Sequence, residues 1–113
     1  MKAIGNTPLI KLKRLSEPGC AEIYLKYEGA NPTGSMKDRM ALSTIEGAER
    51  RGEIKPGGTV IDYTGGSTGS SLAMVCATKG YRAHFVTSDA FAEEKLQTMR
   101  VFGATLEVFA SGD

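Results

Sequence analysis

The sequence of 113 residues predicts an α/β fold: an open parallel sheet of about four strands with alternating helices. Two observations predict this class. Short segments rich in β-branched residues alternate with longer segments whose apolar residues recur every three or four positions. Glycine, proline or Gly/Ser/Thr clusters separate these segments. Strand–helix–strand units of this length form parallel sheets with right-handed crossovers.

Each element has its own local signal. Strands are predicted at residues 21–27, 59–63, 82–87 and 105–109, where alternation or β-branched residues dominate. Helices are predicted at residues 35–51, 70–79 and 91–102, and residues 1–20 are expected to be an extended N-terminal segment. Ser35 and Asp38 have the spacing of a capping box at the start of the first helix.

Composition excludes several function classes. The net charge is +1, and basic residues are scattered, which argues against nucleic acid as a partner. No apolar run approaches the roughly 20 residues of a membrane span, so no membrane is expected. Cys20, Cys76 and His84 are isolated in the sequence, which predicts no metal site and favours a cytoplasmic location.

Lys37 stands at the predicted start of the first helix, directly after a Pro/Gly turn. The positive end of a helix disfavours a cation by about 0.3–1 kcal/mol. The same field favours a neutral amine, which is the form that Schiff-base chemistry requires. A structural interpretation stays open, in which Lys37 points into water and Asp38 offsets its charge.

Residues 64–69 (Thr-Gly-Gly-Ser-Thr-Gly) form a loop between a predicted strand and a predicted helix. In open parallel sheets ligands bind beyond the carboxyl ends of the strands, where this loop lies. Its N–H groups and hydroxyls suit an anion. The spacing differs from a P-loop and from G-x-G-x-x-G. The alternative is a tight β–α turn with an N-cap and no ligand.

Three segments in this order and spacing together carry a family resemblance. They are residues 4–9 (Ile-Gly-Asn-Thr-Pro-Leu), residues 31–39 (Asn-Pro-Thr-Gly-Ser-Met-Lys-Asp-Arg) and residues 64–69. From Ile4 onward the chain resembles the cysteine synthase/cystathionine β-synthase family, which are fold-type II enzymes that use pyridoxal phosphate (PLP). The resemblance implies the fold of the N-terminal domain of those enzymes.

The resemblance also implies roles for individual residues. Lys37 matches the lysine that forms the Schiff base with PLP and then acts as a base at the substrate's α-carbon. The substrate-binding residues that the resemblance implies, for the carboxylate of a small amino acid, are Thr64, Gly65, Gly66, Ser67 and Thr68. Ser67 would also contact the cofactor. The implied activity is that of a transferase or lyase of amino-acid biosynthesis, replacing the β-substituent of an O-activated serine with sulfide.

Two departures from the family pattern qualify these expectations. Gly65 and Ser67 stand where the family loop usually has Ser and Asn, so the substrate and the β-replacement reaction itself are open. No second Gly/Thr-rich loop for the PLP phosphate follows Gly69. Residues 1–113 are therefore expected to be a single α/β domain, an N-terminal fragment of a larger enzyme that is inactive alone.

The alternatives are a non-catalytic fragment and a stand-alone domain that binds an anion or nucleotide through residues 64–69. The expected partner is either the missing C-terminal half or a second copy of the chain. This expectation follows from how the two faces of the predicted sheet are covered. Because a parallel sheet usually has both faces covered and no helix follows the last strand before Asp113, one face needs a partner.

Overall fold

The computed structural model describes residues 1–15 and 17–112. Its elements in chain order are β1 (Leu9–Lys11), β2 (Tyr24–Lys26), a 3₁₀ turn (Glu28–Ala30), α1 (Lys37–Arg51), β3 (Thr59–Tyr63), α2 (Ser67–Lys79), β4 (Arg82–Ser88), α3 (Glu93–Val101) and β5 (Thr105–Phe109). The predicted α/β class is confirmed. The predicted N-terminal segment includes residue 16, and the predicted chain end is residue 113; both residues lie outside the described ranges.

The central sheet has three parallel strands in the order β3-β4-β5. Thr59 pairs with Arg82 at one end of the sheet, and Ser88 pairs with Phe109 at the other. The three strands fall where alternation and β-branched residues predict them. Since β3, α2, β4, α3 and β5 follow one another along the chain, the loops after β3 and β4 meet at the carboxyl edge of the sheet.

The strand predicted at residues 21–27 does not join this sheet, and that part of the prediction is wrong. Its central residues form β2, which pairs antiparallel with β1 in a separate two-stranded sheet. The sequence of the segment explains the difference. Glu22 and Lys26 interrupt its apolar residues, whereas strands of a parallel sheet are usually continuously apolar. Alternation predicts a strand, but it does not specify which strand it pairs with.

One buried cluster joins all three helices to the central sheet. Fully buried side chains come from α1 (Ala41), α2 (Val75), β4 (Phe85) and α3 (Met99). The opposite face of the sheet is open, because Ile61 and Tyr63 of β3 and Phe109 of β5 are 59–69% exposed. The radius of gyration is 17.2 Å, against about 13 Å for a compact domain of this length.

Candidate active site

Lys37 is the first residue of α1, two residues later than the predicted start of that helix. Its backbone N–H donates a hydrogen bond to Ser35 Oγ over 3.1 Å. The predicted capping box between Ser35 and Asp38 is wrong, since the Asp38 carboxylate accepts hydrogen bonds from Thr33 instead. The Lys37 side chain is half-buried. No hydrogen bond or ion pair of its amine occurs within the described ranges, so the amine is available to a ligand.

Asp38 connects the start of α1 to the start of α2. Its carboxylate is fully buried and accepts a hydrogen bond from Ser71 Oγ over 2.6 Å and one from the Thr33 N–H over 2.8 Å. Ser71 lies four residues after Ser67, which begins α2. Because i and i+4 share a helix face, this bond holds the Lys37 end of α1 against the first turns of α2.

The loop at residues 64–69 differs from its predicted form in one respect: α2 begins at Ser67, three residues earlier than predicted. Thr64 is buried, and its Oγ1 accepts a hydrogen bond from the Gly69 N–H over 2.9 Å. The Ser70 N–H donates to Gly66 O over 3.2 Å. The first N–H groups of a helix have no intrahelical acceptor. Within the described ranges, the N–H groups of Ser67 and Thr68 make no hydrogen bond.

Two glycines of this loop are required by close contacts. A Cβ at Gly69 would lie 2.5 Å from Thr64 Cγ2, so a side chain there would displace the hydroxyl that caps α2. A Cβ at Gly65 would lie 2.1 Å from Phe91 Cγ, because the Phe91 ring rests on the Gly65 backbone. The Phe91 ring also meets the edge of Tyr63 with centroids 6.5 Å apart. The aromatic rings of Phe91 and Tyr63 therefore lie beside the candidate carboxylate loop.

The N-terminal segment is bound to the loop before Lys37. Asn31 is buried; its Oδ1 accepts a hydrogen bond from the Gly5 N–H over 2.9 Å, and its Nδ2 donates to Glu28 Oε2 over 2.6 Å. Thr7 Oγ1 donates to Glu28 Oε1 over 3.0 Å and accepts from Arg39 Nη2 over 3.1 Å. The hydrogen bonds of Asn31 and Glu28 therefore join the first two sequence segments that carry the family resemblance, and Asp38 joins the second segment to Ser71, two residues after the third.

The titratable groups near the site have distinct environments. The Arg39 guanidinium beside Glu28 lowers the pKa of that carboxyl from 4.5 to about 2. Burial raises the pKa of Asp62, which lies on β3 two residues before Thr64. Burial also raises the pKa of the Cys76 thiol to about 11, which keeps it protonated in the buried core.

Sequence reasoning missed Asp38, Ser71 and Phe91 as parts of the site. Asp38 and Ser71 are 33 residues apart, and no local pattern signals their contact. The Ser-Ser pair at positions 70 and 71 was the available signal, since two polar residues interrupt an otherwise apolar helix face. Within the described ranges no group of three His, Cys, Asp or Glu side chains could hold a metal ion. No helix in those ranges is long and apolar enough to cross a membrane.

These residues fit one end of PLP. A primary amine without a partner in the described ranges can bind the cofactor's carbonyl carbon, and Lys37 provides one. The N–H groups of Ser67 and Thr68 suit the carboxylate of an amino acid next to it. If this loop holds the substrate carboxylate, the phosphate of the cofactor needs a further set of hydrogen-bond donors.

Comparison with known proteins shows the family and the fold of the chain. The family described as "Pyridoxal-phosphate dependent enzyme" matches residues 1–113. Cysteine synthase B of Escherichia coli is 51% identical over 105 residues, which are 93% of this chain and 35% of that protein. A crystal structure of a hydrogen sulfide-producing enzyme from Fusobacterium nucleatum superposes with a TM-score of 0.90 at 43% identity, covering 98% of this chain and 36% of that one.

A third comparison is with the crystal structure of O-ureido-L-serine synthase. It superposes with a TM-score of 0.89 at 40% identity, over 96% of this chain and 34% of that chain. The family resemblance drawn from the three segments is confirmed, as is the N-terminal-domain fold of fold-type II enzymes. The chain spans about a third of the length of the relatives that it matches.

Proposed function

Because the chain belongs to the family of pyridoxal-phosphate dependent enzymes, we propose that it supplies the lysine and the carboxylate loop of an enzyme similar to cysteine synthase. The reaction is replacement of the β-substituent of an O-activated L-serine by sulfide. The relatives named cysteine synthase B and hydrogen sulfide-producing enzyme support this chemistry. We also propose a cytoplasmic location. The basis is the one used for the sequence prediction, namely that the cysteines of the sequence form no pairs or clusters.

The single observation that carries the proposal is the junction of α1 and α2. Lys37 begins α1, and the next residue, Asp38, is bonded over 2.6 Å to Ser71 in α2. The first turn of α2 contains Ser67 and Thr68, whose N–H groups face no intrahelical acceptor. This junction supports the proposal that the Lys37 amine and the candidate anion site lie near each other, as a bound amino acid requires.

The cofactor, when bound, withdraws electrons from the substrate's α-carbon. Lys37 would hold the cofactor in the resting enzyme, and its amine would act as the base that takes the α-proton of the substrate. The N–H groups of Ser67 and Thr68 hold the substrate carboxylate, which orients the α-hydrogen toward Lys37. Gly65, with the ring of Phe91 on its backbone, contributes no side chain to the anion.

The rest of the enzyme would contribute the phosphate site. The chain spans about a third of the matched relatives, and we propose that a further Gly/Thr-rich loop lies in the remaining part. Exposed apolar side chains support this division, because Ile61, Tyr63 and Phe109 leave one sheet face uncovered. In the longer enzyme this face packs against further protein.

Trapping the Schiff base tests the role of Lys37, and it does not require tight cofactor binding. The chain is incubated with PLP and cyanoborohydride, and the labelled peptides are mapped by mass spectrometry. Lys37 is expected to be labelled faster than the other lysines, and Lys37→Arg to lose that label. Lys55→Arg, which removes an exposed lysine from a turn, is the matched control. Preferential labelling of another lysine overturns the assignment.

A second candidate function is binding of an anion without covalent chemistry, which the free N–H groups of Ser67 and Thr68 support. Inorganic phosphate and L-serine are the probes, and amide NMR shifts of residues 66–69 are the readout. Anion binding that survives Lys37→Ala, together with no preferential Lys37 labelling by PLP, favours this second function. Labelling of Lys37 favours the first.

A further inference from the structure

Asp38 is a buried carboxylate whose three hydrogen-bond donors are neutral. They are the Thr33 N–H, the Thr33 hydroxyl and the Ser71 hydroxyl. The two hydroxyl oxygens lie 3.3 Å apart, so Thr33, Asp38 and Ser71 form a closed group. Burial of a carboxylate is costly unless its hydrogen bonds are complete. A side chain that serves packing alone would be apolar at such a position.

The position of this group also affects the geometry of the candidate active site. Thr33 belongs to the loop before α1, Asp38 to the first turn of α1 and Ser71 to the second turn of α2. Lys37 precedes Asp38 directly, and Ser67 lies one helical turn before Ser71. A displacement of Asp38 relative to Ser71 therefore changes the separation of the Lys37 backbone from the first turn of α2 by a similar amount.

We propose that Asp38 is a positioning residue: through Ser71 it sets the distance between the Lys37 amine and the carboxylate-binding turn at Ser67 and Thr68. The inference rests on the proposed function and goes beyond it, because it assigns a role to residues that contact neither cofactor nor substrate. Fixed geometry of this kind matters, since a misplacement of about 1 Å can cost 10²-fold in rate.

A structural role and a positioning role make different predictions for two competing amines. L-serine and ethanolamine both carry an amine that can take PLP from Lys37, but only L-serine carries a carboxylate for the α2 turn. L-serine is therefore expected to suppress the Lys37 label at a lower concentration than ethanolamine does. The ratio of these two concentrations, the preference for L-serine, measures how well the turn and Lys37 are aligned. General destabilisation of the fold weakens Lys37 labelling itself and affects both competitors alike.

Ser71→Ala removes the link to α2 and leaves both contacts of Asp38 with Thr33. We expect it to label at Lys37 as the wild type does without competitor, and to reduce the preference for L-serine by about tenfold, the usual effect of one hydrogen bond to a charged group. Thr78→Ala is the control, because within the described ranges its α2 hydroxyl bonds to Met74 O of the same helix and to no other group.

Asp38→Asn is the conservative variant, since an amide can accept from the Thr33 N–H and donate to Ser71 Oγ. It is expected to keep most of the preference for L-serine. A wild-type preference in Ser71→Ala overturns the proposal, as does an equal loss in Thr78→Ala or a loss of Lys37 labelling parallel to the loss of preference. If the wild type itself does not label at Lys37, the proposed function fails first and the positioning role fails with it.

Discussion

Arg39 Nε donates to both oxygens of the Glu28 carboxylate, over 2.9 Å to Oε2 and 3.1 Å to Oε1. Glu28 also accepts hydrogen bonds from Thr7 and Asn31. These four hydrogen bonds connect α1, the N-terminal segment and the loop before Lys37. The pair therefore contributes to the placement of Lys37 as well as to stability.

The lowered pKa of Glu28 predicts that the folded chain loses part of its stability in acid. Arg39 lowers the pKa of Glu28 in the folded chain to about 2, below its ordinary value of 4.5. A lowered folded-state pKa means that this stabilisation is present above pH 4.5 and is lost as the pH falls from 4.5 towards 2. Glu28→Gln is expected to lower the melting temperature at pH 7 and to reduce its decrease between these two pH values.

Glu53→Gln is the control for this measurement. Glu53 pairs with Arg51 across an exposed helix end, and Arg51 lowers the pKa of Glu53 without connecting distant segments. Its substitution is expected to change the melting temperature less, because exposed ion pairs contribute little. Equal pH profiles for wild type and Glu28→Gln would contradict the assignment of the acid transition to Glu28.

The contact between Gly65 and Phe91 predicts strongly coupled mutations. Gly65→Ala places a methyl group 2.1 Å from Phe91 Cγ, and the ring must leave the loop to make room. We expect a destabilisation of about 1–3 kcal/mol, as overpacking usually gives. In the Phe91→Ala background the same change should be nearly neutral, and urea unfolding of the four proteins measures the coupling. Additive effects would show that the ring does not restrict position 65.

The fold class could be predicted because it depends on local periodicity. The alternation at β3, β4 and β5 and the helical spacing of α1–α3 are properties of neighbouring residues, and all six elements occur. The pairing of β2 could not be predicted, since alternation indicates a strand without indicating its partner, and its partner β1 was expected only as part of an extended segment. The start of α2 was misplaced because Ser67 and Thr68 are also typical of loops.

The site was predictable only in part for a similar reason. Lys37 and the loop at residues 64–69 are contiguous motifs, and both lie at helix starts. The bond of Asp38 to Ser71 depends on how α1 packs on α2, which no motif records. The same holds for Phe91 on Gly65, which depends on the path of the chain after β4. The binding roles of Thr64, Gly65, Gly66, Ser67 and Thr68 stay predictions.

Thr68 offers a test of the carboxylate loop. Its side chain is half-buried in the first turn of α2, next to the N–H groups that we assign to the substrate. Thr68→Ala is expected to raise the L-serine concentration needed to suppress Lys37 labelling about tenfold, the typical effect of a hydrogen bond to a charged group. Labelling by PLP alone should be unchanged. An unaltered L-serine titration would count against the loop as carboxylate site.

Residues 1–113 alone are expected to lack β-replacement activity. Phosphate contacts would keep the cofactor in place while Lys37 acts as a base, and we propose that the donors for the phosphate are not among residues 1–113. The open sheet face with Ile61, Tyr63 and Phe109 should also make the chain self-associate, which sedimentation velocity can measure.

The decisive assay for β-replacement activity supplies the purified chain with PLP, O-acetyl-L-serine and sulfide and quantifies cysteine. Turnover of about 1 per second or faster would be typical of a complete enzyme, and it would show that the chain needs no further phosphate site.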